Sequence, residues 1–487
     1  MKHVGLLVLG SFINSLGTGL SAFGLAVVVL RVYGTASSVA AVQMSAFAPI
    51  VLLAPLAGVL ADRYDRRLMM MIGDAGSILG LGVILTALSS PRPSLGWICA
   101  GAVTSSCLAA LTEPALRASV TDLVTEEDYV RSSGLLQLAS AAKYLLAPAA
   151  AGFLMPLVGP RGLVLLDAST CLVTVACTMT VRQALAAGAS RRAVSQPGDD
   201  RDVIAGWRTI IASPGLRTLV TLMMLATLSI GVIQVLIKPI LLPTVSTAEM
   251  GVVETVAATG MLVGAALVTA WKSAQPTTLL AAGLAGTGAA MALVPLGPGA
   301  WWVAACGFLT FACLPLSQAG AEVLVRTQVD NTRQARTWGT ISLVTQMGYL
   351  VAYLCSGALV DHVLQPLLEP GRSLSTSVGA VVGIGPGRGA ALLVGLMGAV
   401  MALVALTVRL QRRRLASPPS CRRPTGAVPR GRQAIGAPPV VNGSQVLSGP
   451  RSPRCSPCRR RRARRTSNAP RGRWPRWGAP HPRPGAS

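Results

Sequence analysis

Long apolar stretches dominate this chain, and short polar segments interrupt them at regular intervals. Runs near 20 apolar residues, about the length that crosses a bilayer as a helix, recur at roughly 5–31, 38–61, 68–90, 94–118, 132–155, 162–181, 216–241, 250–271, 278–297, 299–324, 338–360 and 388–409. The pattern predicts an all-α integral membrane protein with twelve transmembrane helices. A polar stretch between the sixth and seventh runs divides them into an N-terminal half (1–181), a central loop (182–215) and a C-terminal half (216–410). Within the loop, Val203, Ile204, Trp207, Ile210 and Ile211 fall at helical spacing. They predict a short amphipathic helix lying on the membrane surface. The first run follows Lys2 and His3, is too long for a signal-peptide core and shows no small-residue cleavage site, so it reads as the first span.

Composition agrees, with 13% charged residues where a soluble chain carries about 25%. Arginine and lysine set the orientation, because they stay on the cytoplasmic side. Placing both termini in the cytoplasm puts Arg63, Arg66, Arg67, Arg131, Arg182 and Arg208 in inner loops and leaves few, such as Arg92 and Arg161, outside. The expected location is the inner (plasma) membrane. Of the net charge of +25, 20 comes from arginines between 409 and 487, a stretch with no acidic residue. Residues 411–487 are rich in Arg, Pro, Gly and Ser without hydrophobic periodicity, which predicts a disordered tail. Such a tail could hug anionic lipid or bind nucleic acid without specificity. An out-of-frame extension of a GC-rich gene would have the same composition. The tail is expected to be dispensable.

Enzyme chemistry finds little support. The ten cysteines include seven inside apolar runs, where Cys acts as a small hydrophobe. The pair Cys455 and Cys458 has no second pair or histidines at ligand spacing, so no metal site is expected. No Gly-rich phosphate loop followed by Lys-Ser/Thr is present, and His3, His362 and His481 lack plausible catalytic partners. No cofactor is expected, and energy would come from an ion gradient.

The halves echo one another. The fourth span ends "EPALRASV" and the tenth "EVLVRTQV", aligning Glu113 with Glu322 and Arg117 with Arg326. "AAAGFL" and "CSGALV" then pair Gly152 with Gly357. Parallel six-span repeats suit a transporter whose halves rock about a central site. Between spans 2 and 3 lies "GVLADRYDRR". It resembles the loop 2–3 signature of the major facilitator superfamily, with Gly58, Leu60, Ala61, Asp62, Arg63, Tyr64, Arg66 and Arg67 in place and Asp65 where a second glycine is usual. That substitution is shared by the drug and secondary-metabolite exporter branch. "LTEPALRASVTDLVTEEDYVRSSGLLQ", "ASPGLRTLV" and "IGPGRGAALL" are similar to segments of macrolide-efflux and enterobactin-exporter proteins. The resemblance implies that the loop 2–3 cluster latches the halves together when the cavity faces outward. Gly58 would permit close helix approach, and Asp62 could cap a helix N-terminus or pair with an arginine such as Arg117. The antiporter motif of span 5 is reduced to "APAAAG", keeping Pro148 and Gly152.

Ionisable residues inside spans are functional candidates because they are costly there. Asp167, in "LVLLDASTCLV", is the leading candidate for proton coupling, and Glu254 the second. Lys238 is its expected partner, and Lys143 and Asp74 could serve structure or function. Glu113 with Arg117, and Glu322 with Arg326, read as gate salt bridges. Asn14, Gln234 and Gln346 could line a substrate cavity. Together these features predict a monomeric secondary transporter, exchanging protons for an amphipathic small molecule such as an antibiotic, siderophore or peptide natural product. An uptake permease of the same fold is the alternative, and a non-transporting membrane receptor or scaffold a more distant one.

Overall fold

A computed structural model of the chain describes residues 2–125, 128–186, 203–271, 274–297, 299–329, 334–371 and 376–410. The tail beyond 410 and residues 187–202 of the central loop therefore lie outside the described residues. Among those described, every regular element is helical. In the first half these are α1 (Lys2–Tyr33), α2 (Ala36–Arg63), α3 (Arg66–Leu88), α4 (Leu95–Ala109), α5 (Thr112–Leu123), α6 (Tyr129–Leu145) and α7 (Ala147–Ala186). After α8 (Val203–Ala212), the second half contains α9 (Pro214–Leu241), α10 (Thr247–Ala270), α11 (Pro276–Leu293), α12 (Ala300–Gln328) and α13 (Gln334–Leu359). A π-turn (Val360–Leu364) and the short α14 (Gln365–Leu367) extend α13, and α15 (Val378–Val382) and α16 (Arg388–Leu410) complete the chain.

Eleven stretches are long and apolar enough to cross a membrane among the described residues. The twelfth crossing is hidden in α7. A Cβ added at Gly17 would lie 3.0 Å from Asp167, while one at Gly19 would meet Ala147. Asp167 and Ala147 are 20 positions apart, about 30 Å along a continuous helix. They meet the same level of α1 because the chain reverses between them. The reversal is at Gly159, where φ is 64°, a left-handed conformation that glycine adopts without steric cost. Residues 160–186 form the sixth crossing. The fifth consists of α6 and residues 147–158, interrupted at Leu146. Pro148 explains the interruption: it lacks an N–H, and its ring crowds the carbonyl four residues earlier. Pro114 acts in the same way between α4 and α5, which together make the fourth crossing.

Packing distinguishes two faces. The terminal face carries Lys2 and the α2–α3 turn, and the distal face carries the α1–α2 turn. At the terminal face the first half has its own buried cluster, including Val4, Leu7, Ala61, Met69, Leu116 and Val181. The second half has another, including Leu216, Leu219, Leu280, Leu324, Ile341 and Met401. At the distal face the cores are shared. Leu241, Met250, Val253 and Val303 of the second half join Phe23, Val27, Val39, Met155 and Leu163 of the first. Ala36 and Ala40 likewise join Val235, Leu236, Ala352, Tyr353 and Val360. The halves are thus joined by apolar burial at the distal face, while each terminal-face cluster draws on one half alone.

The short helix α8 touches the second-half cluster with one face only. Ile210 is buried against the second half, while Trp207 and Ile211 are 42% and 62% exposed.

Candidate functional site

The interface between the halves is formed by α1, α2 and the fifth crossing on one side, and by α9, α10 and α13 on the other. Two carboxylates are buried inside the first half. Asp167 is 4% exposed, and its Oδ2 accepts a hydrogen bond from the Ser21 hydroxyl of α1. Asp74 on α3 is 2% exposed and accepts from the Thr112 hydroxyl at 3.0 Å. Asp167 Oδ1 and Asp74 Oδ2 are buried without a hydrogen-bond partner, and neither residue forms an ion pair among the described residues. A carboxylate so placed is costly to keep charged, since burial removes water; Lys143 attracts Asp167 electrostatically without closing to an ion pair. Lys143 lies with its ammonium 5.8 Å from the Tyr144 ring centroid. Asn14 faces Asp167's helix, its Oδ1 accepting from Cys171 Sγ at 3.5 Å.

At the terminal face, Asp65 caps α3, accepting from the Arg67 amide at 3.0 Å, and also binds Arg182 at 3.0 Å. Arg66 reaches Asp122 at 2.7 Å and the Ala118 carbonyl at 3.2 Å. These contacts tie the α2–α3 turn to its own half. Asp62 is in the last turn of α2, and its side chain lies outside the described residues. The expected alternative partner, Arg117, is paired instead with Glu113 at 2.7 Å on the same helix, and Arg326 with Glu322 at 3.7 Å. Both pairs are one turn apart and more than half exposed, except Glu322 at 50%. The two expected pairs are present, each within one helix because its partners are four residues apart. Gly58 faces open space, so it makes no close helix approach here.

At the distal face the halves touch through glycine. A Cβ at Gly152 would lie 2.6 Å from the Thr247 carbonyl oxygen at the start of α10, and one at Gly251 would meet the Pro148 carbonyl. In the second half, a Cβ at Gly357 would lie 2.6 Å from Ser37 Cα at the start of α2. Close by, Lys238 Nζ lies 2.9 and 3.0 Å from the two carboxylate oxygens of Glu254, and 5.7 Å from the Phe23 ring centroid across the interface.

An aromatic group that the sequence reading missed sits deeper between the halves. Phe47 of α2 packs edge-on against Tyr349 and Tyr353 of α13, with centroids 5.2 and 5.7 Å apart. Tyr353 donates its hydroxyl hydrogen to Gln234 Oε1 on α9. Gln234 is thereby tied to the aromatic group through Tyr353. Gln346 is partly buried on α13, one turn before Tyr349. Spacing of Tyr349 and Tyr353 by four could have flagged a shared helix face, but a partner on α2 could not be read from it.

A comparison with protein families matches residues 7–352 to the Major Facilitator Superfamily. The chain belongs to the major facilitator superfamily. Curated protein sequences gave no significant match. Among solved structures, a bacterial homolog of the human lysosomal transporter Spinster, in an inward-facing and unoccupied conformation, has a TM-score of 0.64 at 14% identity. The alignment covers 86% of this chain and 98% of that one. A POT family transporter in complex with a thioalcohol-conjugated peptide gives a TM-score of 0.65 at 12% identity, covering 85% and 97%. The nucleoside transporter NupG gives 0.64 at 12% identity, covering 84% and 99%. At these identities the likeness concerns the fold. Shared distal cores and separate terminal cores mean that the two halves are packed together at the distal face.

Proposed function

We propose that this major facilitator protein is a proton-coupled exporter of an amphipathic small molecule, an antibiotic, siderophore or peptide natural product, acting as a monomer in the inner (plasma) membrane. The terminal face is assigned to the cytoplasm, following the arginine-rich turns. The observation that carries proton coupling is Asp167, a buried carboxylate without a paired cation, held by Ser21 on α1. Neutral when protonated, it is compatible with its apolar surroundings; deprotonation would require water to enter or Lys143, which already attracts it, to close to an ion pair, and so a different arrangement of the half. Export rather than uptake is supported by the resemblance of the loop 2–3 and span 4–5 segments to efflux proteins.

One proton crossing 100 mV supplies about 2.3 kcal/mol. At about 1.4 kcal/mol per tenfold, this sustains a gradient of roughly fifty-fold for a neutral substrate exchanged one for one. Expression should lower the cellular accumulation of a hydrophobic drug or of the host's own metabolite. A protonophore should restore accumulation at constant ATP, and Asp167→Asn should mimic the protonophore with the protein still inserted. Normal pumping by Asp167→Asn would remove the proton role from this residue. Accumulation that rises with expression under an inward proton gradient would reverse the direction in favour of uptake.

A further inference from the structure

The repeat that pairs Gly152 with Gly357 places equivalent contacts at the distal face. Gly152 abuts Thr247 and Ala248, the first residues of α10, and Gly357 abuts Ala36 and Ser37, the first residues of α2. Both receiving helices carry a local cap: Ser246 accepts from the Glu249 amide, and Thr35 from the Ser38 amide. The symmetry ends four residues after each glycine, where the first half has Pro156 and the second has Asp361.

Asp361 occupies the π-turn that follows α13. Its Oδ1 accepts from the Ala36 amide at 2.9 Å, and its Oδ2 from the Ser37 amide at 2.7 Å and the Ser37 hydroxyl at 2.6 Å. One carboxylate thereby satisfies two of the amides that a helix N-terminus leaves without partners, and its charge faces the positive end of the helix dipole. The amide of Ser38 is the one Thr35 serves, so the two caps do not compete. These three hydrogen bonds join different halves of the molecule. Rocking the halves apart at the distal face must break them together, whereas nothing equivalent is present at Pro156.

From this we infer that Asp361 is the distal latch of the transport cycle, a positioning residue that holds the distal face closed by capping α2 from the opposite half. The inference rests on alternating access and not on the substrate, ion or direction proposed above. Gly357 makes the latch possible, since any side chain there would hold α13 away from α2. Release exposes the α2 N-terminus to water. A charged cap in a partly buried setting is worth up to about thirtyfold in such an equilibrium.

Met250 reports closure, because this second-half residue is fully buried in the distal cluster that the two halves share. In a background with the ten native cysteines replaced, Met250→Cys is treated from the distal side with a membrane-impermeant maleimide. Asp361→Ala should speed labelling about five- to thirty-fold. Asp361→Asn, which keeps one acceptor and loses the charge, should give a smaller increase, and Ser37→Ala, which keeps both amides, the smallest. Labelling within twofold of the parent in both Asp361 variants overturns the latch. If Asp361→Ala does not reach the membrane, Asp361→Asn alone decides by the same criterion. Faster labelling in a protein with no proton-driven transport would leave the latch standing and overturn the exporter reading instead.

Discussion

Glu254→Gln should destabilise the protein far more than the loss of one surface charge would. Lys238 and Glu254 have side chains only 11% and 13% exposed, and their charged atoms are within 3.0 Å. Removing the carboxylate leaves an ammonium buried at the distal interface. The Phe23 ring, already beside Lys238 in the native protein, offers no new compensation. Breaking a buried pair from one side costs about 3–5 kcal/mol, whereas replacing both partners with neutral groups of similar volume is often neutral. The double variant Lys238→Met/Glu254→Gln should therefore recover most of the loss, giving a coupling of about 3 kcal/mol. At about 2 °C per kcal/mol, the single variant should unfold roughly 6–10 °C earlier in detergent at a fixed scan rate. The double variant should retain proton-driven transport, as expected of a static pair. Equal destabilisation in single and double variants would refute the argument. A stable double variant that transports without proton dependence would instead identify Glu254 as a proton carrier.

Close packing at the distal face makes a second expectation. Gly251→Ala forces a Cβ onto the Pro148 carbonyl, so overpacking of about 1–3 kcal/mol should oppose closure and slow transport. Gly82→Ala on α3, where no atom lies within 4 Å, is the matched control, and equal transport by the two would count against glycine-dependent closure. Asp62→Asn should act in the opposite sense to Asp361→Ala. If the loop 2–3 cluster holds the terminal face shut, its loss favours distal closure and slows labelling of Met250→Cys, with most transport lost. Faster labelling would place Asp62 outside any terminal clasp.

Much of the architecture was legible because a bilayer imposes one length on every crossing. The break between spans 5 and 6 was placed correctly at 155–162 even though α7 runs unbroken by its helical pattern, since polar and proline residues mark the turn. Asp167 was legible as the lone carboxylate of an apolar run. Its hydroxyl partner was not, because Ser21 is 146 positions away. Glu113 with Arg117 was legible as a pair because a spacing of four places both on one helix face. Whether that pair gates the halves depends on the position of the second half, which spacing does not carry.

The two faces also differ in how their closure is written into the chain. The proposed terminal clasp would be encoded compactly, in ten consecutive residues whose charge density stands out against apolar flanks. Distal closure is dispersed: Gly152 meets α10, Gly357 meets α2, and Asp361 bonds Ser37 across 324 positions. Each of these residues is unremarkable alone, an aspartate at a span's end or a glycine within a helix. Their function arises because the repeat brings small residues of one half onto helix starts of the other, where backbone amides are unpaired. Adding a carboxylate to only one copy of that contact makes the symmetric hinge asymmetric. The α2–α13 contact then resists opening through charge and three hydrogen bonds, while the contact between the fifth crossing and α10 resists through packing and one neutral hydrogen bond, from the Ala149 amide to the Thr255 hydroxyl at 3.1 Å. Opening should accordingly begin at α10, and Asp361 should set its threshold.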